Sequence, residues 1–185
     1  MSGFEGYATE VTKPEALQAY ESGLITLSAR MACESIDRLQ PVRVKLHRGT
    51  SDIGISRRRP GPSGEMQMGP NPESHYNPDL WVLDLEAVSG GDRCVVFCYG
   101  CHAVIVYGFA YDAISADYPG VCRRRLREAL GGSAHCQFIQ GLGGNVRPRA
   151  LADLEAGVFR KPSPEDPDAV GGQLATDVLD ALSGD

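Results

Sequence analysis

The sequence lacks an apolar run that approaches the roughly 20 residues of a membrane-spanning helix. Its first ten residues have neither a basic segment nor an apolar one, so no secretory leader is expected there. With 24 acidic and 18 basic residues the formal net charge is −6, which gives no electrostatic reason to expect nucleic-acid binding. No GxGxxG segment occurs, so nucleotide binding is not expected either. These absences leave a globular domain, or part of one, of unknown compartment.

The cysteines do not form the framework of a disulfide-rich domain, because their spacing is uneven and the chain is long for that class. Cys94, Cys98 and Cys101 have the spacing of some iron–sulfur sites. However, alternation along a strand puts the first two on one face and the third on the other, whereas three thiolates must converge on one cluster. An iron–sulfur or redox domain is therefore the weakest interpretation, and free thiols in apolar surroundings behave as small hydrophobic side chains.

The hydrophobic pattern predicts helices alternating with strands. Apolar residues that recur every three to five positions indicate helices over residues 14–39, 117–130 and 173–182. Alternating or continuous apolar residues indicate strands, over residues 42–47, 80–85, 94–107 and 134–140. Residues 49–78 are rich in Gly, Pro, Asn and Ser and are predicted to be one long loop. This order predicts a mixed α/β fold with a largely buried sheet flanked by helices, and residues 1–185 are expected to form a single partial domain.

Two residues near a break in the most apolar strand are candidates for chemistry. His102 follows the break at residues 100–102, where strand ends face ligand crevices, and imidazole is the commonest metal ligand in proteins. The alternative is a core histidine that hydrogen-bonds the backbone. Asp117 precedes a helix, so its carboxylate is either a helix N-cap or a group that orients a metal-bound histidine.

A glycine turn and two arginine runs complete the candidates. Glycines at positions 141, 143 and 144 let the backbone approach a ligand closely, and successive N–H groups can bind an oxyanion. The arginine runs at residues 57–59 and 123–125 are either solvated surface or a positive patch for an anionic group.

Four stretches together resemble the N-terminal catalytic domain of the neutral/alkaline non-lysosomal ceramidase family. Residues 52–58 (DIGISRR) are similar to that family's Gly-x-Asn-Arg-Arg/Ser segment, with Ser56 in place of Asn. Residues 69–72 and 77–80 resemble its approach to the next strand. Residues 100–103 (GCHA) and 114–120 (ISADYPG) resemble its Ala-Cys-His-Pro and Ser-Ala-Asp-Tyr-Pro-Gly pair. Residues 138–148 (FIQGLGGNVRP) resemble its Gln-Gly-x-x-Gly-Asp-x-Ser/Asn-Pro turn.

The resemblance implies a zinc enzyme that cleaves an N-acyl amide, ceramide in the best-known members. It implies two His, a Glu and a Tyr as zinc ligands, of which only one maps here, onto His102. The other His, in Thr-His-Ser-Gly, would precede residue 1, and the Glu and Tyr would follow residue 185. The family's serine falls on Arg147, and its Gly-Asp pair becomes Gly144-Asn145.

Two function hypotheses follow from this partial match. The first is a fragment of a zinc-dependent amidohydrolase that acts on a small lipid or acyl-amide substrate and is inactive alone. In it His102 binds zinc, Gly144 and Asn145 form the catalytic turn, and Arg57 and Arg147 contact substrate. The second is a metal-free binding module, or a degenerate relative, that keeps the fold without catalysis, because one histidine cannot hold a catalytic zinc.

Overall fold

The computed structural model describes residues 14–184. The chain consists of two compact units, Met1–Gln40 and Pro41–Asp185. In the first unit the described element is the helix α1 (Glu15–Ile36), which confirms the predicted first helix. Pro14 precedes it in an extended conformation, and none of the helical residues is buried. The prediction of one partial domain over the whole chain stays a prediction.

The second unit contains nine strands and two α-helices among the described residues. The elements are β1 (Val42–Thr50), β2 (Gly54–Pro60), β3 (Met66–Asn71), β4 (Asp79–Ala87), β5 (Arg93–Tyr99), α2 (Asp117–Ala129), β6 (His135–Gln140), β7 (Val146–Pro148), β8 (Ala152–Asp153), β9 (Val158–Phe159) and α3 (Asp166–Ser183). Among the helices formed by residues 14–184, none has both the length and the apolar character that crossing a bilayer requires.

The larger sheet is mixed, with strand order β1-β4-β5-β6. The pairs β1–β4 and β4–β5 are antiparallel, and β5–β6 is parallel because α2 carries the chain across between them. Alternate side chains such as Val82, Phe97 and Tyr99 are buried together with Leu126 of α2 and Leu174 of α3. Burying each such side chain contributes about 1.5–3 kcal/mol. The predicted mixed α/β fold is confirmed.

The opposite face of this sheet carries apolar side chains that are not covered to the same extent. Strand alternation puts Val44 and Leu46 of β1 and Trp81 of β4 on that face. They are 57%, 64% and 41% exposed, respectively. The sheet is thus buried mainly on the face that α2 and α3 cover.

The predicted loop over residues 49–78 is wrong in its middle, where β2 and β3 form an antiparallel hairpin. With β7 they make a second sheet of order β3-β2-β7. The pattern is hidden because only residues 54–56 of β2 are buried, while the arginines at 57–59 lie near or at the surface. A register shift between Ser56 and Arg58 breaks the alternation further.

Two predicted boundaries also differ from the structure. The strand expected to continue to residue 107 ends at Tyr99, because the chain there turns to meet the glycine turn. The last helix starts at Asp166 rather than at residue 173. Pro167 fits its first turn, where the N–H that proline lacks has no partner inside the helix.

Candidate functional site

His102 lies just beyond the end of β5, at the predicted break in the apolar strand. Its backbone N–H donates to the carbonyl oxygen of Val146 in β7 at 3.1 Å. Its Nε2 atom is buried, and no hydrogen-bond partner for it occurs within residues 14–184. Buried polar atoms are normally paired, and an imidazole nitrogen without a partner is available to a metal ion or a ligand proton.

The glycine turn packs directly against the strand break that precedes His102. The N–H of Gly141 donates to the carbonyl oxygen of Tyr99 at 2.9 Å. A Cβ atom on Gly143 would lie 2.8 Å from the backbone nitrogen of Cys101, and one on Gly100 would lie 2.9 Å from the carbonyl oxygen of Leu142. Glycine therefore allows the two backbones to approach, and the break and the turn form one corner.

Gly144 differs from its neighbour because a Cβ atom built on it would meet nothing within 4 Å. The N–H of Val146 donates to the carbonyl oxygen of Gly143 at 2.8 Å, so Gly144 and Asn145 are the central residues of a tight turn. Within residues 14–184 the N–H groups of these two residues donate to no other group. The turn thus presents free donors beside open space.

We expect Gly143→Ala to lower the free energy of unfolding by about 1–3 kcal/mol, the usual cost of forcing an extra methyl group into a packed site. Gly144→Ala is the matched control and should change it by less than about 0.5 kcal/mol, because its position is open. Urea unfolding followed by circular dichroism measures both. Equal losses for the two variants would show that the turn does not pack on the strand break.

Asn145 is held in place by the two arginines at the start of the exposed part of β2. The N–H of Arg57 donates to the carbonyl oxygen of Asn145 at 2.7 Å, and its Nε donates to the carbonyl oxygen of Gly144 at 3.1 Å. The Nε of Arg58 donates to the side-chain oxygen of Asn145 at 3.0 Å. Arg57, Gly144 and Asn145, three predicted site residues, therefore meet at the same corner.

Arg147 follows two residues later in β7, paired with Ile55 of β2. Its Nη1 lies 3.4 Å from the sulfur of Met68, and its guanidinium lies 4.8 Å from the centre of the Phe159 ring. Its Nε is buried, and the described residues offer it no hydrogen-bond partner. Burial is the main cause that lowers the pKa of Arg147, and the nearby charge of Arg57 lowers it further.

Asp117 acts on the backbone around His102 and makes no hydrogen bond to its ring within residues 14–184. The carboxylate accepts N–H bonds from Ile105 and Val106, both at 2.8 Å, and from Tyr118 at 2.7 Å. The Tyr118 hydroxyl in turn donates to the carbonyl oxygen of Cys101 at 2.7 Å. Asp117 and Tyr118 thus fix the chain on both sides of the histidine.

The sequence did not single out Tyr118, Met68 or Phe159 as part of the site. Tyr118 is fully buried, and burial raises the pKa of its hydroxyl, so it stays a neutral hydrogen-bond donor. Arg58, which the sequence offered as part of the arginine run at 57–59, contacts Asn145. The contacts of Met68 and Phe159 with Arg147 depend on strand pairings that have no local signature.

The cysteines show no sign of reactive or metal-binding chemistry in the described part of the chain. All six thiols are free, and burial raises the pKa of Cys94 and Cys98, and that of Cys101 to about 12. A thiolate is the form that binds metals and attacks substrates, and these shifts disfavour it.

The described residues do not make a complete metal site. In residues 14–184, no group of three or more His, Cys, Asp or Glu side chains is placed to hold a metal ion. A catalytic zinc needs about three protein ligands and one open position. The corner supplies one imidazole, so the residues present do not fit a zinc ion by themselves.

The cavities next to the corner are small. One of about 210 Å³ is bordered by Gly100, Gly141 and Leu142, and one of about 160 Å³ by Asp117 and neighbouring residues. Two larger cavities, of about 600 and 590 Å³, lie along α3 and are not bordered by any of the predicted site residues. Neither of the two small cavities is bordered by His102, Gly144 or Asn145.

The fold of this chain is similar to part of the fold of two solved ceramidases. The structure is similar to the crystal structure of neutral ceramidase from Pseudomonas aeruginosa, with a TM-score of 0.57 and 19% sequence identity over 80% of this chain and 24% of that chain. It is also similar to a ceramidase complexed with C2, with a TM-score of 0.54 and 14% identity over 77% of this chain and 22% of that one.

This likeness shows a shared fold and spans about a quarter of the solved ceramidase chains. No protein-family model matches the sequence, and no curated protein matches it significantly. The expected resemblance to neutral ceramidase is therefore confirmed at the level of the fold of a partial domain.

Proposed function

We propose that this chain forms part of a zinc-dependent hydrolase of N-acyl amides, in which His102 is one of the zinc ligands. The other ligands would come from polypeptide outside the described residues. The observation that carries the proposal is the buried Nε2 of His102, which has no hydrogen-bond partner in residues 14–184. The backbone N–H of the same residue donates to Val146, beside the glycine turn. The ceramidase-like fold supports the same reaction class.

The chain's own residues have separable roles in this proposal. Gly144 and Asn145 offer turn N–H groups to the oxygen that becomes negatively charged when an amide carbonyl is attacked. Arg57 holds this turn through the carbonyl oxygen of Gly144 and contacts the substrate with its remaining donors. Asp117 positions His102 through the backbone. Because the residues present do not complete a zinc site, no catalytic step is assigned to the metal.

The test is release of fatty acid from N-lauroyl amides by the longest polypeptide encoded around this segment. We expect release that a chelator abolishes and that added zinc restores, because a complete zinc site is needed for chemistry. His102→Ala should remove the zinc-restored activity. Release that persists in the chelator, or in the His102→Ala protein, would contradict the proposal.

A second candidate is a metal-free binding module or degenerate relative that keeps this fold. It is favoured by Arg147, which stands where the resemblance places a serine, and by Asn145, which stands where it places an aspartate. A polypeptide that binds acyl compounds but neither retains zinc nor releases fatty acid would support this candidate instead.

A further inference from the structure

Three arginines beside the glycine turn, Arg57, Arg58 and Arg147, form what we call the arginine corner. Although acidic residues outnumber basic ones in the chain, no carboxylate within residues 14–184 forms an ion pair with any of the three. Other arginines of the described part do have such partners, in the pairs Arg48–Asp79, Arg93–Asp84, Arg124–Asp168, Arg125–Asp168 and Arg160–Asp166. Among the described residues, the arginine corner is therefore a local concentration of positive charge that no carboxylate pairs with.

The hydrogen bonds that these arginines make do not neutralise them. Arg57 and Arg58 each use Nε on a neutral oxygen, of Gly144 and of Asn145, respectively. A guanidinium has five N–H donors, so the outer donors of both remain for a ligand. The Nε of Arg147 is buried without a partner among the described residues. A planar anion that accepts two parallel hydrogen bonds matches this arrangement.

Apolar groups flank the same charge. The sulfur of Met68 lies 3.4 Å from Arg147 Nη1, and the Phe159 ring lies under its guanidinium at 4.8 Å. Met68 is itself mostly exposed, which leaves its apolar surface open to a ligand. The corner thus pairs positive charge with apolar surface, which suits an anionic group attached to a hydrocarbon.

We propose that the arginine corner binds the carboxylate of an acyl compound, with an N-acyl amino acid as the substrate class. The substrate assignment rests on the proposed amide hydrolysis, whereas the binding requires no metal. Arg147 and Arg57 contact the carboxylate with the outer nitrogens of their guanidinium groups, Arg57 from the side of the glycine turn. The acyl chain lies along Met68 and Phe159.

The experiment is isothermal titration of the 185-residue chain, in a zinc-free buffer, with N-lauroylglycine and with the neutral N-lauroylethanolamine, both below their aggregation concentrations. We expect N-lauroylglycine to bind at least about tenfold more tightly, since a buried or half-buried charge-assisted bond is worth that much. Arg147→Met should abolish the difference, and Arg147→Lys, which keeps the charge but loses the planar fork, should keep only part of it.

The matched control is Arg43→Met, which removes the same charge from an exposed position on β1. It should leave the preference unchanged, and circular dichroism shows that each variant is folded. Equal affinity for the two ligands, or a preference that survives Arg147→Met, would overturn the inference. Inorganic phosphate that displaces N-lauroylglycine at equal or lower concentration would assign the corner to free phosphate and also overturn it.

The two proposals can fail separately. A tenfold preference without fatty-acid release would leave the binding site standing and remove the hydrolase. Zinc-dependent release of fatty acid without any preference for the carboxylate ligand would leave the hydrolase standing and remove the carboxylate-binding site.

Discussion

Asp117→Ala should lower the free energy of unfolding by about 3–5 kcal/mol, which is large for one substitution. The carboxylate is almost buried and accepts the N–H groups of Ile105, Val106 and Tyr118. Alanine would leave these donors without a partner, at about 1–3 kcal/mol for each one that stays buried. Asp117 also has a φ of 50°, a left-handed conformation that aspartate tolerates and alanine resists.

Two further variants separate these causes. Asp117→Asn keeps one acceptor oxygen and tolerates the left-handed conformation, so it should lose only about half as much. Asp112→Ala removes an exposed carboxylate from the same loop and should change the unfolding free energy by less than about 0.5 kcal/mol. Urea unfolding measures all three. A loss below about 1 kcal/mol for Asp117→Ala would show that its hydrogen bonds do not hold the loop around His102.

Asp117 also shows how far sequence reasoning reaches at this site. Its position before a helix predicted either an N-cap or a carboxylate that orients a histidine. In the structure one carboxylate oxygen accepts the N–H of Tyr118, and the other accepts two amides more than ten residues earlier in the chain. Asp117 is the first residue of α2 and not its N-cap, and the two distant bonds depend on tertiary contacts that a single sequence does not reveal.

The main sheet and its helices were predictable because their pattern is local. Buried positions alternate along β4 and β5, and α2 and α3 show apolar residues at helical spacing. His102 was identified for a similar reason, since glycine and polar residues interrupt an apolar strand there. The helix α3 was found but begun seven residues late, because its first turn is acidic and contains proline.

The second sheet, of order β3-β2-β7, was missed because its strands lack a clear hydrophobic pattern in the local sequence. The strand β2 buries only residues 54–56, and it pairs with β7 some 90 residues later. That pairing brings Arg57 to Asn145 and places Arg147 opposite Ile55. Arg57, Asn145 and Arg147 were candidates one by one from the resemblance, but only the fold shows that they lie at the same corner.

His102→Ala should abolish zinc retention if this chain contributes one ligand to a zinc site. A tetrahedral catalytic zinc site has about three protein ligands and depends on each of them. The loss of one imidazole therefore leaves too few ligands to hold the ion through purification. The buried Nε2 of His102 has no partner in the described part of the chain, so its removal breaks no hydrogen bond of the ring. Folding should therefore be little affected. His135→Ala, at an exposed position on β6, is the matched control.

Metal analysis of the longest encoded polypeptide, after gel filtration, is the most direct measurement of this account. We expect about one zinc per chain in the wild-type and His135→Ala proteins, and less than about 0.1 in His102→Ala. Unchanged zinc in a folded His102→Ala protein would remove this histidine from the site. Wild-type protein that retains no zinc would contradict the hydrolase and leave the metal-free binding module.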